Sequence, residues 1–128
     1  MRNTELKTKR NKEILELFYK YLKIAPTVCD SRVMWAVRRI YESPASRYYI
    51  EYLTAQRHVS KMINGKPINI QNKYKLEMIC ELYNQVMDYS RENPNKNIYE
   101  YLRELLDKPA KSFYLSEETI RGIIYHKR

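Results

Sequence analysis

Pro44-Ala45-Ser46-Arg47-Tyr48-Tyr49-Ile50 and Pro109-Ala110-Lys111-Ser112-Phe113-Tyr114-Leu115 carry one pattern, 65 residues apart. Each has a proline, an alanine, a polar pair, two aromatic residues and an aliphatic one. The match extends on both sides without a gap. Upstream, Ile14, Glu16 and Leu17 fall on Ile79, Glu81 and Leu82, and Arg38 falls on Arg103. Downstream, Thr54 falls on Thr119 and Val59 on Ile124. Identities are few, but the apolar phase persists throughout, as expected of a tandem duplication. The expectation is two three-helix copies, residues 1–65 and 66–128, packed together as one compact all-α domain of about six helices.

The helices follow from spacing. Ile14, Leu17, Phe18, Tyr21 and Leu22 recur at three and four, and Ile79, Leu82, Tyr83, Val86 and Met87 repeat that face. Val33, Ala36, Val37, Ile40 and Tyr41 give a second helix, matched by Ile98, Tyr101, Leu102, Leu105 and Leu106. Asp30 or Ser31 is its expected N-cap, and Pro44 and Pro109 stop both second helices, because the residue before a proline is pushed out of the helical region. A short extended stretch then leads to a third helix. In the first copy it points Ala55, Val59 and Met62 inward; in the second it starts at Ser116 with Glu117 and Glu118 in its first turn, and Ile120, Ile123 and Ile124 face inward. Glu51 is the weaker cap of the first copy. Asn64-Gly65-Lys66-Pro67 separates the copies.

Composition narrows the functional classes. The chain has 128 residues, 24 Lys+Arg against 15 Asp+Glu, two glycines and 13 tyrosines, with a mean hydropathy of -0.71. Neither a transmembrane helix nor a signal peptide is expected. Two glycines leave no Gly-rich phosphate loop. Cys29 and Cys80 form no CxxC pair and are expected as free thiols in a reducing cytoplasm, Cys80 as a small core residue. His58 and His126 lack ligand spacing to a cysteine, so no metal or other cofactor is called for. No catalytic motif is present, and Glu16 and Glu81 read as helix ion-pair partners rather than a carboxylate pair.

The basic charge is more informative. Residues 1–65 carry 13 Lys+Arg and 6 Asp+Glu; residues 66–128 carry 11 and 9. Arg2, Lys7, Lys9, Arg10 and Lys12 make a basic N-terminal arm that can follow a phosphate backbone or serve only as a solubilising terminus. On the third helix of the first copy, Arg57 and Lys61 stand one turn apart with Ser60 between them. Tyr48-Tyr49 and Phe113-Tyr114 admit two roles, a hydrophobic plug between helices, which the apolar flanks favour, or base stacking.

Leu115-Ser116-Glu117-Glu118-Thr119-Ile120-Arg121-Gly122-Ile123 resembles the second half of a helix-turn-helix: a hydrophobe, a Ser cap, a Thr and two aliphatics three apart. The turn departs from that pattern, because Pro109 to Tyr114 occupy the place of a tight three- or four-residue connection. The Pro-Ala-x-x-Phe-Tyr-Leu-Ser ending also resembles small basic helical proteins of Bacteroides-like genomes and their mobile elements, which implies a genomic setting rather than an activity. The functional expectation is a non-enzymatic DNA-binding protein, regulatory or mobile-element-associated. Its contacts would be Arg10, Lys12, Arg38, Arg47, Arg57 and Lys61 in the first copy and Lys111, Arg121, Lys127 and Arg128 in the second. The alternative is a helical adaptor for a protein partner.

Overall fold

The computed structural model describes residues 2–28 and 30–127, with Lys127 described through its backbone only. Six α-helices make up the fold, and no strand is present among the described residues. Helix α1 (Asn3–Ile24) is longer than its apolar face announces. The segment expected as an arm is helical from Asn3, because Leu6 lies in phase with Ile14 and Phe18 and all three are buried. No proline or glycine interrupts it before Pro26. Helix α2 (Arg32–Glu42) is capped by Ser31, whose Oγ accepts the Met34 N–H at 3.1 Å, and buries Ala36, Val37 and Ile40. Helix α3 (Tyr52–Ile63) begins at Glu51, which makes no side-chain capping bond, and buries Ala55 and Val59.

Across the linker, α4 (Lys73–Glu92) is capped by Asn72, whose Oδ1 accepts the Tyr74 and Lys75 N–H groups at 2.9 and 3.1 Å. Helix α5 (Ile98–Leu106) is capped in the same way by Asn97, and buries Leu102, Leu105 and Leu106. Helix α6 (Glu117–Lys127) opens at Ser116, whose Oγ accepts the Thr119 N–H at 3.1 Å. Its anchors are Ile120 and Ile124, one full turn apart; Ile123, the expected partner of Ile120, is half-buried. Cys80 is half-buried rather than a core residue, and is unpaired; Cys29 lies outside the described residues. Among the described residues no helix is long and apolar enough to cross a membrane.

The two groups of helices that pack together do not coincide with the two halves of the chain. Helices α1 and α2 pack on each other and on α6, while α4 and α5 pack on each other and on α3. Each third helix therefore completes the group formed by the other half. The two non-helical segments that carry these helices across meet at Ala45 and Ala110, which exchange N–H···O bonds of 3.1 and 3.0 Å as an antiparallel bridge. Both alanines are 2% exposed, so a larger side chain has no room there. Beside the bridge, Tyr48 stacks on Tyr114 and Tyr49 on Phe113, with ring centroids 6.2 Å apart in each pair. Shifting by 65 residues turns one pair into the other. Such reciprocal contacts are what a two-fold relation between halves produces. One buried cluster runs through the whole arrangement, from Ile14 and Phe18 through Tyr48 and Phe113 to Ile79 and Leu82.

Candidate functional site

Beside the aromatic pairs, a groove of about 430 Å³ opens between the N-terminal halves of three helices. Helix α1 supplies Asn3, Lys7 and Arg10, α3 supplies Thr54 and Arg57, and α4 with its cap supplies Asn72, Lys75 and Met78. Tyr49, Ile50, Phe113, Tyr114 and Leu115 complete the lining. Four of these residues are cations and none is an acid. Among the described residues none of Lys7, Arg10, Arg57 and Lys75 has an ion-pair partner. The helix ends add to this field, since the N-terminus of a helix carries a partial positive charge.

The electrostatics of the groove show in its neighbours. Burial pushes the half-buried Arg10 guanidinium below the ordinary arginine pKa, and the nearby Tyr49 acts the other way. The Arg10 guanidinium donates to Asn11 Oδ1 at 3.1 and 3.2 Å. His58, on α3, is lowered by burial first and then by the charges of Lys75, Arg57 and Lys61, so these three cations share one neighbourhood. The acids nearest the groove act on its aromatic residues. Glu13 accepts from the Tyr49 hydroxyl and from Ser46, the latter through Oγ at 2.6 Å and the backbone N–H at 3.0 Å. Burial, followed by Tyr48, Glu81 and Glu77, raises the Tyr114 phenol. Both groove tyrosines stay neutral and can offer a ring face without a charge.

Tyr114 is unusual in its backbone. Its φ of 55° lies in the left-handed region, which a bulky residue adopts at a steric cost. Its N–H is held by Ser112 Oγ at 2.9 Å. The expected extended stretch is broken at this point, and the break sits on the wall of the groove.

Of the cations expected from the sequence, the groove brings together Arg10 and Arg57. Lys61 lies one turn beyond Arg57 and near His58, outside the lining. Lys12 lies in a furrow along α1 with Thr8, Leu15 and Tyr19. Arg38 pairs with Glu117, Arg47 with Asp107 at 3.1 Å, and Lys111 with Glu81 at 3.3 Å. The Arg121 guanidinium lies 3.9 Å from Met34 Sδ on α2. The Lys127 side chain and Arg128 lie outside the described residues. Sequence reasoning did not single out Lys75, which a polar linker precedes in a half of small net charge. The shift that aligns the halves could have found it, since Lys75 is 65 residues from Arg10, as Tyr114 is from Tyr49.

The helix-turn-helix resemblance leads one to expect α5 and α6 packed against each other. Among the described residues α6 packs on α1 and α2 instead. Comparison with protein-family models, curated proteins and solved structures returns no match.

Proposed function

We propose that this is a nucleic-acid-binding protein, that its contact with the phosphate backbone is the groove between α1, α3 and α4, and that a tandem duplication built the two halves. The observation that carries the reading is the convergence of Lys7, Arg10, Arg57 and Lys75 on one concavity with no acid in its lining. Arg10 and Lys75 are half-buried, and holding an unpaired cation partly out of water is unfavourable; an anion placed among the four offsets that cost. A phosphodiester supplies the anion at regular spacing, and its bound counterions are released in exchange. DNA remains the expected partner.

The experiment is a fluorescence anisotropy titration of labelled DNA at about 50 mM salt, where backbone contacts are strong. Wild-type protein binds, and Arg57→Glu or Lys75→Glu weakens binding about ten-fold or more. Arg91→Glu, on the far end of α4 where Arg91 is paired with Asp88, leaves it nearly unchanged. Absence of wild-type binding would favour the protein-adaptor reading.

A further inference from the structure

We infer that the groove seats an unstacked nucleotide of single-stranded DNA, its phosphate among the four cations and its base against the Tyr114 ring on the side away from Tyr48. This deepens the nucleic-acid reading and rests on it.

Duplex DNA keeps its bases paired and stacked, so to a concave site it offers only phosphates and groove edges. Cations alone would serve that purpose. This groove adds aromatic and apolar lining from Tyr49, Phe113, Tyr114 and Met78 beneath its charged rim. Its volume, about 430 Å³, lies within the range of cavities that hold small organic ligands and suits a single nucleotide. Base stacking on aromatic side chains combined with a positive rim is how single strands are held without regard to sequence.

Two further observations point the same way. The left-handed backbone of Tyr114 stores steric strain on the groove wall, and strain of this kind marks ligand sites when the rest of the fold holds it in place. The groove also continues. A second depression shares Asn72, Tyr114 and Leu115 with it and adds Lys73, Tyr74 and Thr119. There the Lys73 ammonium lies 5.0 Å from the Tyr74 ring centroid, so a cation and a ring recur together. A third depression, reached past Tyr74 and Ser116, is lined by Glu42, Glu117 and Glu118 together with Arg38, which pairs with Glu117. With three acids against one cation, this depression repels phosphates and closes the path. A strand entering among the cations therefore passes Tyr114, then Tyr74, and stops.

The test compares a labelled single-stranded 12-mer with the duplex of the same sequence, using the full-length protein at fixed salt. The single strand is expected to bind at least about ten-fold more tightly than the duplex, the scale of one base stack on an aromatic ring. Tyr114→Leu, which keeps apolar bulk without a π face, should remove that preference, lowering single-strand affinity about ten-fold more than duplex affinity; Tyr114→Phe should keep it. Helix content by circular dichroism checks each variant. If Tyr114→Leu loses helix, Tyr74→Leu reads the second ring and should lower single-strand affinity alone. Free thymidine monophosphate should compete only at far higher concentration than the strand. Equal affinity for strand and duplex would overturn this inference and leave the nucleic-acid reading standing. So would competition by the mononucleotide at the strand's own concentration. Failure of wild-type protein to bind either DNA would overturn both.

Discussion

His58 is the residue where packing and the charge of the groove meet. It is 9% exposed, and its Nδ1 has no hydrogen-bond partner among the described residues. Burial and the charges of Lys75, Arg57 and Lys61 all oppose protonation, so its folded pKa lies below the ordinary value. The unfolded chain therefore takes up this proton at a higher pH than the folded one. Its contribution to stability is full above about pH 6.5, the ordinary histidine value, and is lost as pH falls below that point. Urea midpoints measured at pH 7.5 and 5.5 should show a drop in wild-type protein that is smaller in His58→Leu. Equal drops would mean that His58 titrates as it does in the unfolded chain. An anion seated beside Lys75 and Arg57 would partly cancel their charge, so bound DNA should reduce the same pH dependence.

At the scale of the elements, the least expected feature is the start of α1. In residues 2–12 Leu6 is the one apolar side chain, and a single point defines no period. The sequence therefore reads as a charged arm, although Leu6 is 2% exposed in the folded chain. Leu6→Ala should cost about 2–5 kcal/mol, the usual range for emptying a core leucine site. A floppy arm would show no change in urea denaturation, which makes the variant decisive. Where several apolar residues fix a phase, as with Ile14, Phe18, Val37, Ile79 and Leu102, helix and buried face were both legible, and all five are fully buried. The caps at Ser31 and Ser116 were legible too, because a short hydroxyl before an apolar turn satisfies an amide that has no carbonyl partner within the helix. Ser116→Ala should cost about 1 kcal/mol in the same assay, the typical value of a lost N-cap.

At the scale of the molecule, the exchange of third helices could not be read from the sequence. Ala55 and Val59 present the same kind of face as Ile120 and Ile124, so either pairing buries it. The crossing segments decide the matter through the Ala45–Ala110 bridge and the two aromatic stacks. Neither half on its own holds a complete helix group. Peptides of residues 2–66 and 67–128 should each show little helix as monomers by circular dichroism and regain it when mixed one to one. A stable, fully helical monomer of either half would contradict the exchanged packing. The groove is a product of that crossing, since α1, α3 and α4 line it together with Tyr49 and Tyr114. Single residues such as Arg57 could be nominated from the sequence. Their convergence with Lys7 and Lys75 could not, because it depends on long-range packing. The most direct measurement is the salt dependence of single-stranded DNA affinity for wild-type protein and for the double variant Arg57→Gln, Lys75→Gln. With about 0.7 counterions released per phosphate neutralised on a single strand, four cations give a log–log slope near -3, and removing two should roughly halve it. A wild-type slope near zero, or one that the double variant leaves unchanged, would contradict the account.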